Sequence, residues 1–319
     1  MHRVLIVGSR GSDLALRQSN WVKLELERQL PNREIRLEII KTRGDKILDT
    51  PLSKIGGKGL FTKEIDLALY EKRIDLAVHS LKDIPTQTPE GLTIGAITKR
   101  EDVQDVFIKH PEKNHASLAS LSRGAVIATG SLRRKCQLLH FRSDLVIENL
   151  RGNVPSRIQK LDASDWDGIV LAKAGLDRLE RSDRITEVLS TDIILPPVGQ
   201  GALGLEIRSD DDEVFEYVSR VNDAETEIGT RAERALLHHL QGGCQVPIGA
   251  YGRIVNDVLR LDAMVGSLDG THVIRGTVQG KSEEAESMAV KLAETLLQSG
   301  GEKILKEIRG TEAIEIPYA

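Results

Sequence analysis

Short apolar runs alternate with amphipathic stretches through the first two-thirds of this chain, and just past residue 100 the alternation starts afresh. That rhythm belongs to βα units wound around mainly parallel sheets. Residues 4–7 read as a buried strand, and Ser12 as the N-cap of a helix carrying Leu14, Leu16, Trp21, Leu24 and Leu26. Strands follow over 35–40, 74–78 and 92–97, with a helix over 61–72 between the first two. The second series has strands over 125–128, 145–147 and 168–171, helices over 131–141 and 155–161, and part of a helix over 185–189. After Pro196-Pro197, residues 202–207 read as a strand returning to the first sheet. The last third changes character: a long helix over 224–240 stopped by Gly242-Gly243, alternating strands over 259–265 and 273–278, and a helix over 283–297. The expected fold class is therefore α/β. Two α/β domains with mixed, mainly parallel sheets (1–99 with 200–219, and 104–195) precede a smaller C-terminal α+β domain (223–319). Ligands of such modules sit at the carboxyl ends of the strands, in a cleft between the lobes.

Charge narrows the function. The chain of 319 residues carries 44 Lys and Arg against 48 Asp and Glu, a net −4, and only 3% aromatics. Neither balance suits a general nucleic-acid binder or a base-stacking platform. Two cysteines exclude a disulfide scaffold, and their spacing gives no zinc pattern, so no metal is expected. No apolar run approaches the roughly 20 residues of a membrane span, and the apolar part of Met1-His-Arg-Val-Leu-Ile-Val-Gly8 is short for a secretory leader. A cytoplasmic protein without a membrane partner is expected. Residues 123–160 depart from this acidity: Arg123, Arg133, Arg134, Lys135, Arg142, Arg151, Arg157 and Lys160 face only Asp144 and Glu148. Arg133 and Arg134 fall in the first turn of a helix capped by Ser131, where the macrodipole disfavours cations by a few tenths to about 1 kcal/mol. Two arginines there, directly after a strand end, imply an anion, and arginine forks suit carboxylate or phosphate. Arg151 and Arg157 repeat the arrangement at the next strand end, and Ser9-Arg10-Gly11-Ser12 at the first βα turn. Taken singly each is an ordinary surface arginine; three clusters at strand ends predict a polyanion site.

Two residues stand out as reactive. Asp83, in Ala77-Val-His-Ser-Leu-Lys-Asp-Ile-Pro85, follows a strand end beside Lys82. An Asp in such a loop is commonly a turn or cap, but among arginines it is also the natural partner for a cationic centre or for N–H donors. Cys244, in Gly242-Gly-Cys-Gln-Val-Pro247, sits on a loop where backbone can approach a ligand closely, which suits an accessible thiol or covalent attachment point. Cys136, inside a helical pattern, reads as core. Lys54 and Lys58 lie in a Gly-rich stretch that lacks the Ser or Thr of a Walker A loop. A literal G-x-G-x-x-G at Gly199, Gly201 and Gly204 runs on into a strand rather than a helix, so no dinucleotide site is expected there.

Eight segments in order carry a family resemblance: Ser9-Arg-Gly-Ser-Asp-Leu-Ala-Leu16, Thr42-Arg-Gly-Asp45, Gly56-Gly-Lys-Gly-Leu-Phe61, the Asp83 segment, Gly130-Ser-Leu-Arg-Arg134, Leu150-Arg-Gly-Asn-Val154, Leu195-Pro-Pro-Val-Gly-Gln-Gly-Ala202 and Gly242-Gly-Cys-Gln-Val-Pro-Ile-Gly249. Together they resemble the porphobilinogen deaminase (hydroxymethylbilane synthase) family. The resemblance implies three domains, the first two similar to periplasmic binding proteins. It also implies a monomeric transferase that joins four porphobilinogen molecules head to tail, with loss of ammonia, into hydroxymethylbilane. Cys244 matches the cysteine that holds a dipyrromethane cofactor, the primer, through a thioether. Asp83 matches the catalytic carboxylate, which contacts pyrrole N–H groups and stabilises cationic intermediates. Lys82, Ser131, Arg133 and Arg134 match residues that, with Asp83, bind the cofactor. Arg10, Ser12, Arg151 and Arg157 match those for the substrate's carboxylates, and Gln18, Lys54, Lys58 and Phe61 lie in matching segments. Asp13 stands where many relatives have proline, and Gly130 where many have serine.

From the residues alone, a second reading from another class stays open: a two-lobed binding protein or sensor for a small organic anion. The lobes and arginines serve it equally, but it needs no cysteine on a Gly-Gly loop.

Overall fold

The computed structural model describes residues 4–42, 62–243 and 245–314. The first βα series forms β1 (Leu5–Arg10), α1 (Asp13–Gln29), β2 (Ile35–Ile40), α2 (Lys63–Tyr70), β3 (Leu76–Ser80) and β4 (Leu92–Ile97). The second comprises β5 (Asp105–Lys109), β6 (Val126–Ala128), α3 (Leu132–Phe141), β7 (Val146–Glu148), α4 (Val154–Asp162), β8 (Gly168–Ala172), α5 (Lys173–Arg178) and β9 (Glu187–Val188). Then follow β10 (Leu203–Arg208), α6 (Asp212–Ser219), α7 (Ala224–His239), β11 (Ile248–Val255), β12 (Val258–Gly266), β13 (Val273–Gly280), α8 (Ala285–Leu296) and α9 (Glu302–Ile314). The class is α/β with mixed, mainly parallel sheets and a C-terminal α+β region.

Packing divides the chain into two units. The first holds Met1–Val103, Ala174–Arg181 and Gly199–Glu227; the second holds Gln104–Lys173, Ser182–Val198 and Ile228–Ala319. The first unit's sheet runs β2-β1-β3-β10-β4, with β1 parallel to β2 and β3, and β10 antiparallel to β3 and β4. The return of the chain after residue 200 therefore supplies an inner strand. All six residues of β10 are buried: Leu203, Leu205 and Ile207 join the core with Val22, Leu26, Val214 and Val218. Burying each such side chain contributes about 1.5–3 kcal/mol.

The second unit's sheet runs β7-β6-β8-β5-β9, with β6 parallel to β7 and β8, and β5 antiparallel to β8 and β9. Its plan repeats the first, with β5 in the place of β10. Here the helix expected over 185–189 is corrected: Glu187–Val188 is an edge strand on β5, and Thr186 Oγ1 accepts a hydrogen bond from Lys109 N. Ile185, Val188 and Leu189 have helical spacing, but β5, which the sequence reading missed, offers them a strand to pair with. The same unit carries the antiparallel sheet β11-β12-β13, whose core is filled by α7, α8 and α9 residues such as Leu236, Leu292 and Leu305. Strand β11 and helices α5, α6 and α9 were likewise not anticipated.

Candidate active site

In the first unit the candidate residues gather at the carboxyl ends of the neighbouring parallel strands β1 and β3. Arg10 closes β1, and Ser12 caps α1 as expected, its Oγ accepting from Ala15 N at 3.4 Å. Gln18 is buried on α1 and its Nε2 donates to Ser80 Oγ at 2.8 Å, tying the helix to the end of β3. Directly after Ser80 the chain makes one 3-10 turn, Leu81–Asp83. Leu81 and Ile84 are buried with Ile97 and Ala202, whereas Lys82 and Asp83 between them are exposed. Apolar anchors on either side thus hold the charged pair at the surface.

The G-x-G-x-x-G run has its use here. Leu81 N donates to Ala202 O at 3.0 Å. A Cβ on Gly204 would stand 2.7 Å from Ile84 Cδ1, and one on Gly199 would stand 2.9 Å from Leu81 Cγ and 3.0 Å from Lys82 N. Gly199 also has φ +75°, where side chains are disfavoured. The glycines seat the Asp83 turn. Between them Gln200, fully buried, accepts from Lys82 Nζ at 3.4 Å and donates to Val103 O at 2.7 Å.

In the second unit the candidates gather at the ends of β6 and β7, again parallel neighbours. Ser131 caps α3, accepting from Arg134 N at 3.4 Å. Gly130 leaves room for the next strand end: a Cβ there would lie 2.5 Å from Leu150 O. Arg151 and Arg157 are half-buried, burial drawing Arg151 below the ordinary guanidinium range. Arg157 Nε donates to Gly152 O at 2.7 Å, and Asn153 caps α4.

Arg133 and Arg134 are not surface residues. They are 5% and 6% exposed, and both meet Asp105, which is 0% exposed at the start of β5. Arg134 grips it with two donors, Nε to Oδ2 at 3.0 Å and Nη2 to Oδ1 at 2.7 Å, and gives Nη1 to Val170 O at 3.0 Å. Arg133 gives Nη2 to Asp105 Oδ2 at 2.7 Å and Nη1 to Leu195 O at 2.6 Å. Burial alone would raise the Asp105 carboxyl; the two guanidiniums reverse this and hold it well below the usual carboxylate range. The anion that this arginine pair demands is thus first of all internal. Asp105 is the site residue that the sequence reading missed. Its signal was an acid opening the apolar run Val106-Phe107-Ile108, alongside two cations in need of a partner.

Arg133, Arg134 and Asp105 together carry a net +1, which fits a ligand carboxylate. These residues could hold a carboxylate-bearing cofactor. Cys244, Lys54, Lys58 and Phe61 lie outside the described residues. Cys136 behaves as core: it is buried beside Leu195 and Met264, and burial pushes its thiol up to about 12.

Comparison with known proteins follows the same lines. Residues 5–216 match the family model described as porphobilinogen deaminase, dipyromethane cofactor binding domain, and residues 228–298 match porphobilinogen deaminase, C-terminal domain. The porphobilinogen deaminase of Chlorobaculum tepidum is 53% identical over 98% of this chain and 100% of its own length. That of Chloroherpeton thalassium is 49% identical over 98% and 100%. Among solved structures, the BvgS VFT2 domain of Bordetella pertussis is similar at 13% identity and a TM-score of 0.42, covering 69% of this chain and 87% of that one. The aliphatic sulphonate binding protein SsuA of Escherichia coli matches at 14% identity and a TM-score of 0.38, covering 76% and 71%.

Proposed function

Because the chain belongs to the porphobilinogen deaminase family, we propose that Asp83 is its catalytic acid and Cys244 the attachment point of its primer. The protein is a transferase of tetrapyrrole synthesis that polymerises porphobilinogen, and its first matched domain is the one that binds the dipyrromethane cofactor. The reading as a binding protein for a small organic anion is not favoured.

In each cycle the aminomethyl C–N bond of porphobilinogen breaks, ammonia leaves, and a new C–C bond forms to a pyrrole α-carbon, which gives up its proton. The bound cofactor supplies that first α-carbon. The chain's residues do the rest. Asp83 accepts pyrrole N–H hydrogen bonds and offsets the positive charge that develops as ammonia departs, an electrostatic contribution commonly worth several kcal/mol. Its place at the surface between buried Leu81 and Ile84 is the observation that supports this role. Lys82, Ser131, Arg133 and Arg134 hold the cofactor's acetate and propionate groups. Arg10, Ser12, Gln18, Arg151 and Arg157 receive the carboxylates of the incoming substrate, with Lys54, Lys58 and Phe61 near them. A carboxylate-rich chain growing by one unit at a time calls for this many cations. The same reading divides the chain into domains 1–99 with 200–219, 104–195 and 223–319. It places the enzyme in the cytoplasm as a monomer, without nucleic-acid or membrane partner; no described helix is long and apolar enough to cross a membrane.

Intact mass tests the reading. The purified protein should exceed its sequence mass by about two pyrrole units, Cys244→Ser should remove the excess, and Cys136→Ser should keep it. An unmodified wild-type chain would overturn the assignment.

A further inference from the structure

We propose that Asp105 is a positioning residue for primer capture: it anchors the Arg133 and Arg134 guanidiniums before a ligand arrives and leaves the trio with a net +1 to receive a ligand carboxylate. The inference rests on the cofactor reading above. Its basis is the way the two guanidiniums are held. Arg134 is anchored through all three nitrogens, Nε and Nη2 on Asp105 and Nη1 on Val170 O, which uses three of its five N–H groups. Arg133 uses only Nη1 and Nη2, on Leu195 O and Asp105. Among the described residues no acceptor is bonded to its Nε–H.

Without Asp105 the pair would be two buried like charges that repel each other and turn their forks to whatever carbonyl or water is near. With it, the forks are fixed before any ligand arrives, and one carboxylate rather than two completes the charge balance. Preorganisation of this kind removes an ordering cost from binding. The supporting carbonyls come from Val170 on β8 and from Leu195 in the irregular segment before Pro196, both buried. Burial draws Arg133 below its ordinary value while Asp105 pulls it back, as expected of a cation that lacks a full share of counter-charge.

The test uses the full-length chain produced in cells starved of porphobilinogen, then given porphobilinogen, with primer loading followed by intact mass and folding by thermal unfolding. Wild type should load. Asp105→Ala should load at least about tenfold more slowly, and added formate, which fits the vacated space, should restore both loading and the unfolding midpoint while leaving wild type unchanged. A merely structural role predicts loading that tracks the folded fraction, so that Asp105→Ala assayed well below its unfolding midpoint loads like wild type. If Asp105→Ala does not fold even in formate, Asp105→Glu decides: it keeps the charge but displaces it by one methylene, and loading should slow about tenfold at a near wild-type midpoint. Wild-type loading rates in a folded Asp105→Ala or Asp105→Glu would overturn the proposal. A wild-type chain that never gains mass would instead overturn the cofactor reading.

Discussion

The two units share a sheet plan and place their candidate residues at the same topological position, the carboxyl ends of neighbouring parallel strands, yet they treat charge oppositely. In the first, Lys82 and Asp83 stand exposed on a turn held by Leu81 and Ile84, with Lys82 Nζ reaching back to Gln200. In the second, Arg133 and Arg134 are buried against Asp105 and belong to the fold as much as to the site. On the proposed reading, a catalytic acid that must meet changing partners is better carried by apolar anchors, and cations that must hold one ligand gain from being locked.

The comparison breaks most readily at its two charged centres. Asp83→Ala is expected to lower turnover by a hundredfold or more, on the order of the loss of one electrostatic stabiliser, with Asp83→Glu retaining a trace and the unfolding midpoint almost unmoved. Steady-state release of ammonia alongside thermal unfolding checks it. Arg134→Ala should do the reverse first: it strands part of the buried Asp105 charge and is expected to cost about 3–5 kcal/mol, read from the denaturant midpoint.

The pH dependence of stability sharpens the contrast further. Asp105 is held below its unfolded value, so its contribution is present above about pH 4 and is lost as pH falls through the folded value. Asp66, on α2 in the first unit, has the opposite sign: burial, then repulsion from Glu206, raises its carboxyl to about 6. Its contribution is complete below the unfolded value and is lost as pH rises through about 6. Asp66→Asn should flatten stability between about pH 4 and 6, whereas Asp105→Asn should flatten only the more acid limb. Equilibrium unfolding across pH distinguishes them, and identical profiles would remove the distinction.

The smallest effects concern glycine. Gly199→Ala presses on Leu81 and Lys82 at a positive φ and should cost about 1–2 kcal/mol together with a severalfold fall in kcat. Gly124 has φ +76° with nothing within 4 Å, so Gly124→Ala should cost about 1 kcal/mol or less and leave kcat unchanged. Equal losses of kcat in both variants would show that Gly199 does not seat the catalytic turn.

Much of this was legible in the sequence because local signals agreed. Ile35–Ile40 and Leu92–Ile97 have the expected strand bounds, and Ser12 and Ser131 cap the expected helices. The return of β10 to the first sheet was readable from an apolar run after a proline pair. What escaped depends on long-range partners. Residues 185–189 have helical spacing and become strand only because β5 lies beside them. Arg133 and Arg134 announced an anion, but Asp105, 28 residues before Arg133, could be matched to them only once β5 and β8 were paired. Likewise the Gly199–Gly204 run reveals its use only when the Asp83 turn is laid on it.

The central claim, that Asp83 performs chemistry without supporting the fold, is tested most directly by first-turnover ammonia release from primer-bearing Asp83→Ala, with thermal unfolding of the same sample. The account predicts a wild-type unfolding midpoint and almost no ammonia. Ammonia released at the wild-type rate by that folded variant would contradict it.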